Sequence, residues 1–171
     1  MKVHILIGPA GVGKSTFIRE NAGEALVLSS DAIREELYGS LFEGNKHNDK
    51  VFTTLLNRLR QAVEQGDKDV YVDATNLSRK TRTHYYNQIK SWNKNATVIA
   101  DVIHKPLKSI LQQNAQRTGD KVVPMDVVDR MYKSMTIPRI GLDCDEMTVT
   151  APEWSEYRSE ILHRINEAHN S

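Results

Sequence analysis

At 171 residues, 39% apolar and 26% charged, the chain has the composition of one compact globular domain rather than a disordered or collagen-like segment. Its single cysteine, Cys144, excludes an intramolecular disulfide and any multi-cysteine metal site, and no apolar run approaches the roughly 20 residues that span a bilayer. A balance of 23 basic against 22 acidic side chains excludes a histone-like wrapper of nucleic acid.

Met1-Lys2 leads into a strand pattern at Val3–Ile7 without a signal-peptide cleavage pattern, which predicts a soluble, cytoplasmic protein with no membrane partner. Directly after that strand, Gly8-Pro-Ala-Gly11-Val12-Gly13-Lys14-Ser15 fits G-x-x-x-x-G-K-[ST], and a helix is predicted from near Ser15. Each part of the loop has a physical task. Glycines let backbone N–H groups approach phosphate oxygens without Cβ clashes. Lys14 places a positive charge on the β and γ phosphates, the Ser15 hydroxyl is offered to Mg²⁺, and the helix end adds its positive dipole. With glycine at about 7% of average usage, a chance match in a chain this long falls below roughly one in a hundred. The expected ATP-binding set is Gly8, Gly11, Val12, Gly13, Lys14, Ser15 and Thr16, with ATP and Mg²⁺ as cofactors.

A second strand is predicted at Ala25–Leu28, followed by Ser29-Ser30-Asp31-Ala-Ile-Arg34. Asp31 falls where a helix should begin, which fits an N-cap; it also fits a carboxylate that takes a proton from an attacking hydroxyl. Arg34 lies three residues on, on the same helix face, available either for a surface ion pair with Glu35 or Glu36 or for an anionic acceptor. The apolar stripe Val51, Leu55, Leu56, Leu59, Ala62 and Val63 predicts an amphipathic helix ended by Gln65-Gly66.

The third predicted strand, Val70–Val72, runs into Asp73-Ala-Thr75-Asn76. Asp73 can hold a magnesium-bound water or orient Arg34. Thr75 and Asn76 can hydrogen-bond an acceptor's phosphate or hydroxyls, or simply close the strand in an Asx-type turn. Residues 74–95 then carry a net +5, with Arg82 and the C-terminal region as candidates for contacting the adenine base. A fourth strand is predicted at Thr97–Ile103, and Asn114–Pro124 reads as a short polar loop between two helices. Arg117 in that loop fits a lid that neutralises charge during phosphoryl transfer; a plain helix connection fits as well. Pro124 opens a further helix through Met125, Val127, Val128, Met131, Tyr132 and Met135. A weak fifth strand at Met147–Val149 and a C-terminal helix packing Trp154, Tyr157, Ile161, Leu162 and Ile165 complete the chain.

Strands alternating with helices predict an α/β fold, a P-loop NTPase whose four- or five-stranded parallel sheet has helices on both faces. Residues 105–139 carry a net +4 and residues 140–171 a net −5, so one face of the molecule is suited to anions, unless the basic helices are merely solvated. The γ-phosphate could be transferred, hydrolysed to drive motion, or used as a switch. No water-positioning residue or hydrolysis-coupled element is identifiable.

Taken together, these segments resemble the kinase domain of the phage-type polynucleotide 5′-hydroxyl kinases over roughly residues 2–136. The resemblance rests on the phosphate loop, Asp31-x-x-Arg34, Thr75-Asn76-Leu77 and, most specifically, the stretch from Arg117 to Met135. It implies an adenylate-kinase-like single domain over residues 1–171, with a lid at about 117–123 and a C-terminal strand and helix at about 146–168. The implied reaction is transfer of the ATP γ-phosphate to single-stranded 5′-hydroxyl ends of DNA or RNA, in nucleic-acid repair, and in the host cytoplasm if the chain is phage-encoded. By the same resemblance Asp31 is the general base and Arg34 binds the phosphate 3′ of the acceptor nucleoside. Thr75 lies beside that phosphate, Arg117 stabilises the transferring group, and Val123 and Val127 pack on the acceptor base. One departure concerns the family's acidic residue two places before the asparagine: here that place is Ala74, and the acid, Asp73, stands one earlier. Asp143-Cys-Asp145 is superficially similar to the Asp-x-Asp motif of the phosphatase domain that family members often carry, but too little chain follows for such a domain. A kinase of a small-molecule or nucleoside acceptor and a non-catalytic ATP-binding module are the alternatives.

Overall fold

The structure, a computed structural model, describes residues 1–152 and 156–171. Five parallel strands, β1 (Lys2–Ile7), β2 (Leu26–Ser29), β3 (Val70–Asp73), β4 (Thr97–Ile103) and β5 (Glu146–Thr150), lie in the order β2-β3-β1-β4-β5. Around them run α1 (Lys14–Asn21), α2 (Ser30–Tyr38), α3 (Leu41–Asn45), α4 (Asn48–Gln65), α5 (Arg79–Trp92), α6 (Leu107–Ala115), α7 (Met125–Ser134) and α8 (Glu156–Asn170).

The alternation of side chains along the strands explains the two-faced packing. Val3, Ile5 and Ile7 of β1 join Val70 and Val72 of β3 in a core closed by Val51, Leu55 and Leu59 of α4, Ile89 of α5 and Ile161 of α8. Leu6 and Tyr71 point to the opposite face, where Ile110 of α6 and Val128 of α7 cover them. The inner strands β1, β3 and β4 are covered on both faces and read as continuous apolar runs, whereas β2 and β5 lie at the sheet edges with exposed residues, which is why β5 read only weakly in the sequence.

Gly66, at φ 69°, ends α4 where Gln65-Gly66 predicts it. The short helix α3 was not anticipated; five residues carry too little periodicity, although the Ser40 hydroxyl accepts the Glu43 N–H as a cap. Asn114 lies inside α6, so the connection between α6 and α7 is shorter than its polar composition suggested, with a 3₁₀ turn at Gly119–Lys121. In α8 Ile161 is buried and Ile165 packs on the core, whereas Leu162, expected inside, is exposed. Trp154 and the Tyr157 side chain lie outside the described residues. No helix among the described residues is long and apolar enough to cross a membrane.

Candidate active site

Ligands of open parallel sheets bind beyond the carboxyl ends of the strands, where the strand order reverses. Here the loops after β1, β2 and β3 converge with α3, α4 and the α6–α7 connection on a cavity of about 570 Å³. Gly11, Gly13, Lys14, Ser15, Asp31, Arg34, Asp73, Thr75, Arg117, Val123 and Val127 line it together.

The phosphate loop has the shape its glycines predict. Gly13 sits at φ 110°, a conformation disfavoured for any residue with a Cβ, and starts α1 without a side-chain cap. A Cβ on Gly8 would lie 2.6 Å from Cγ1 of Val12 and 2.9 Å from the Ile103 carbonyl, so Gly8 serves packing rather than the cavity. Its N–H donates to the Thr75 carbonyl at 3.1 Å, tying the loop to the exit of β3. Val12 buries its side chain in the core, and Thr16 is exposed on α1; neither lines the cavity.

The Lys14 ammonium folds back to donate to the carbonyls of Gly8 at 2.8 Å and Pro9 at 2.9 Å. Burial pushes its pKa down to about 8; the carboxylates of Asp73 and Asp31 pull it back up, and the Arg117 cation opposes them. Burial also raises Asp73 above the ordinary carboxylate range, against Lys14, a Ser29 hydrogen bond and Arg117, and with the help of Asp31. These mutual influences place Lys14, Asp31, Asp73 and Arg117 in one electrostatic unit.

The two residues of α2 are settled by its cap. The Ser29 hydroxyl accepts the Ala32 N–H at 3.2 Å, so Asp31 is not the N-cap. Its carboxylate instead accepts from Nη1 of Arg34 at 2.7 Å. Arg34 is not a surface residue paired with Glu35 or Glu36: it is buried, donates also to Ser30 Oγ, and gives Nε and Nη2 to the Asn48 side-chain oxygen at 3.3 and 3.0 Å. Glu36 pairs with Arg58. The Arg34 guanidinium stands 5.6 Å from the Phe52 ring centroid, and a Cβ on Gly44 would collide with the Arg34 Cβ. Asn48, Phe52 and Gly44 carried no motif in the sequence; only the three-dimensional docking of α3 and α4 on α2 brings them to Arg34.

Two sequence expectations need correction. Asn76 is buried, sits at φ 47° and donates its amide to the carbonyls of Leu6, Val72 and Ala74. It closes the strand exit and does not face the acceptor. Arg82 is no adenine contact: it is fully buried, ion-paired to Asp143 at 3.0 Å and hydrogen-bonded to the carbonyls of Asn76 and Leu77 and the Thr136 hydroxyl. Asp143 and Asp145 are structural, the latter pairing with Lys90 and Tyr86. The sequence also missed Asn114, which holds the α6–α7 connection at Val123 by accepting from the Val123 N–H and donating to the Val123 carbonyl.

The donor set suits a nucleoside triphosphate and a divalent cation. Backbone at Gly11 and Gly13 lies open to the cavity, and Lys14 holds carbonyl oxygens where phosphate oxygens would be better partners. Among the described residues no cluster of three His, Cys, Asp or Glu side chains forms a metal site by itself. Ser15 and Asp73, in the same cavity, fit a magnesium ion that keeps phosphate oxygens and waters as its remaining ligands.

Fold and site together define a P-loop kinase fold. The chain belongs to the AAA domain family, whose model matches residues 3–138. Among solved structures, a candidate kinase from Chloroflexus aurantiacus superposes with a TM-score of 0.70 at 13% identity, covering 99% of this chain and 96% of that one. A chain of the Pnkp1/Rnl/Hen1 RNA repair complex gives 0.63 at 20% identity over 78% of this chain, which spans only 43% of that larger chain. A gluconokinase from Sinorhizobium meliloti gives 0.53 at 16% identity, with 98% and 89% covered. No curated protein matches in sequence.

Proposed function

We propose that the protein is an ATP-dependent phosphotransferase that moves the γ-phosphate of ATP to the 5′-hydroxyl end of DNA or RNA. The observation that carries this reading is the Asp31–Arg34 pair: a carboxylate held 2.7 Å from a buried guanidinium, in the cavity that also holds Lys14 and Arg117. A base for a hydroxyl and a cation for an anionic acceptor thus stand together across from the phosphate loop. Asp31 takes the proton from the 5′-hydroxyl, the freed oxygen attacks the γ-phosphorus, and the bond to the β–γ bridging oxygen breaks to leave ADP. Lys14 and Arg117 bind the charge on the transferring group, and Mg²⁺ at Ser15 and Asp73 would add Lewis-acid neutralisation. Arg34 and Thr75 grip the phosphate next to the acceptor hydroxyl. Val123 and Val127 give its base an apolar wall, a sequence-tolerant contact suited to a single strand.

The test is transfer of radiolabelled γ-phosphate from ATP to a short single-stranded 5′-hydroxyl oligonucleotide. Labelling by the wild-type protein and its loss in Asp31→Asn support the reading. An unlabelled oligonucleotide with labelled sugars or free nucleosides would move the assignment to small acceptors. ATP binding without any acceptor-dependent ADP release would make the protein a binding module.

A further inference from the structure

We infer that Phe52 determines acceptor specificity: with Leu41 it forms a wall on which the base of the acceptor nucleoside stacks, opposite Val123 and Val127. The inference rests on the function proposed above and extends it to a side of the cavity that this reading leaves without a role. Phe52 follows Val51 on α4, and Val51 is buried in the core with Leu55 and Leu59. One residue turns an α-helix by about 100°, so Phe52 leaves the core-facing stripe and shares a face with Asn48, one turn earlier. Among the described residues Phe52 joins the core on neither face of the sheet. Neither does Leu41 of α3, although it is only 7% exposed. Both side chains line the cavity instead.

This wall has a counterpart. Helix α4 packs on one face of the sheet and α7 on the other, so Phe52 and Leu41 stand across the cavity from Val127 and Met131. Val127 and Met131 also line the cavity without joining either core. Apolar side chains that the core does not use, arranged as two walls, suit a flat apolar ligand group. Arg34 ties this part of the cavity to the acceptor chemistry, because its guanidinium lies within cation–π range of the Phe52 ring while its Nη1 donates to Asp31. A nucleoside whose 5′-hydroxyl meets Asp31 and whose 3′ phosphate meets Arg34 carries its base beside that phosphate, at Phe52. Every base has a π-face, so a ring opposite aliphatic side chains holds it without reading its sequence. A sugar or a small alcohol would leave Leu41, Phe52, Val127 and Met131 with nothing apolar to cover.

The experiment compares two 5′-hydroxyl oligonucleotides that differ only in their first residue, one bearing a base and one an abasic tetrahydrofuran. Both are assayed with wild type, Phe52→Leu and Phe52→Tyr. Stacking on one aromatic ring predicts a wild-type KM about tenfold lower for the base-bearing acceptor. Phe52→Leu should bring the two acceptors within about threefold by raising KM for the base-bearing one alone, and Phe52→Tyr, which keeps the ring, should restore the preference. Throughout, kcat and KM for ATP should stay within about twofold, because the base is held alike in ground and transition states. Equal KM for the two acceptors in the wild type overturns the inference, whether or not the leucine variant folds. Full preference retained in Phe52→Leu also overturns it and leaves the base to the valine wall alone. A rise in KM for both acceptors alike overturns it too and makes Phe52 a support of Arg34. Failure of the wild type to label either oligonucleotide is a separate outcome, which overturns the polynucleotide reading and this inference with it.

Discussion

Asp31 and Arg34 lie one helical turn apart on α2, and Nη1 of Arg34 donates to Oδ1 of Asp31 at 2.7 Å. The pair is asymmetric: the Asp31 side chain is 57% exposed, the Arg34 side chain only 10%. The guanidinium is the fixed partner, held along its opposite edge by Asn48, and the carboxylate is the accessible one. The proposed role of Asp31 as general base requires a carboxylate that is reachable and oriented at once, and an exposed side chain tied to a fixed guanidinium is both.

Asp31→Asn should therefore remove catalysis and leave the fold untouched. The helix cap belongs to Ser29, so the substitution breaks no cap. Loss of the base predicts a fall of about 10²–10⁴ in kcat, with ATP affinity close to wild type. Phosphotransfer kinetics and nucleotide titration on the same preparation check it. Retained turnover would return Asp31 to a structural role.

Arg34 supplies geometry as well as charge. Two of its nitrogens converge on the Asn48 oxygen, a fork that a lysine cannot reproduce. Asn48→Ala should loosen the guanidinium and raise KM for a 5′-hydroxyl acceptor that carries the neighbouring phosphate, leaving KM for ATP unchanged. Arg34→Lys should resemble Arg34→Ala in this assay. Acceptor KM measured with and without the neighbouring phosphate separates recognition of the anion from general damage.

How much of this was legible in the sequence depends on the range of the interactions. The course of the phosphate loop was legible, because strand, glycines and lysine are consecutive and act locally, but not which of its residues face the cavity: Gly8, Val12 and Thr16, expected to contact ATP, do not line it. The parallel sheet was legible because its inner strands β1, β3 and β4 are largely buried apolar runs; the edge strand β5, polar at alternate positions, was the weakest signal. Asp31 and Arg34 were placed correctly on a helix, but their partners came from α3 and α4, more than a helical turn away in sequence, and no periodicity announces them. Asn76 and Arg82 were misread for a common reason. A polar side chain that follows a strand of the sheet looks the same in sequence whether it faces a ligand, as both were expected to, or turns inward, Asn76 from the strand exit and Arg82 from α5, to bond backbone and a buried carboxylate. That Asn114 pins the α6–α7 connection is equally invisible, since its partner, Val123, is apolar and contributes only its main chain.

Lys14 gives the site a pH dependence of defined sign. Its amine titrates at about 8 in the folded protein, chiefly through burial, against an ordinary 10.5. Only the ammonium binds phosphate, so KM for ATP should climb as pH rises through about 8, with little change between pH 6 and 7. Stability runs the other way. Between about 8 and 10.5 the unfolded chain holds a proton that the folded chain has released, so this group makes unfolding harder as pH rises across that window. ATP kinetics from pH 6 to 9.5 and thermal unfolding without nucleotide test the two signs separately.

Asn114 is buried and exchanges two hydrogen bonds with the Val123 main chain, which holds the α6–α7 connection, the proposed lid, against α6. Asn114→Ala leaves the Val123 amide and carbonyl to find water, at a cost of about 1–3 kcal/mol. Val123 and Arg117 belong to the same connection, so acceptor KM should rise and kcat should fall together, as expected for a lid that no longer closes well. Equal loss of stability with unchanged kinetics would mean that the lid is positioned by other contacts.

Arg82 and Asp143 join the exit of β3 to the segment before β5 through a wholly buried ion pair. Arg82 also donates to the carbonyls of Asn76 and Leu77, so the guanidinium fixes the backbone that leaves β3 after Thr75. The Thr75 carbonyl in turn accepts the Gly8 N–H, which makes the ion pair a remote support of the phosphate loop. Removing one member leaves the other charge buried without its partner, so Arg82→Met should destabilise by about 3–5 kcal/mol. The double change Arg82→Met with Asp143→Leu removes both charges and should recover part of that loss, because two apolar side chains need no partners. Denaturant unfolding of the single and double variants tests the pair. ATP titration of the double variant then tests the connection to the loop: weaker ATP binding in a protein of recovered stability is the expected outcome, because the three carbonyl and hydroxyl contacts of Arg82 are lost in both variants.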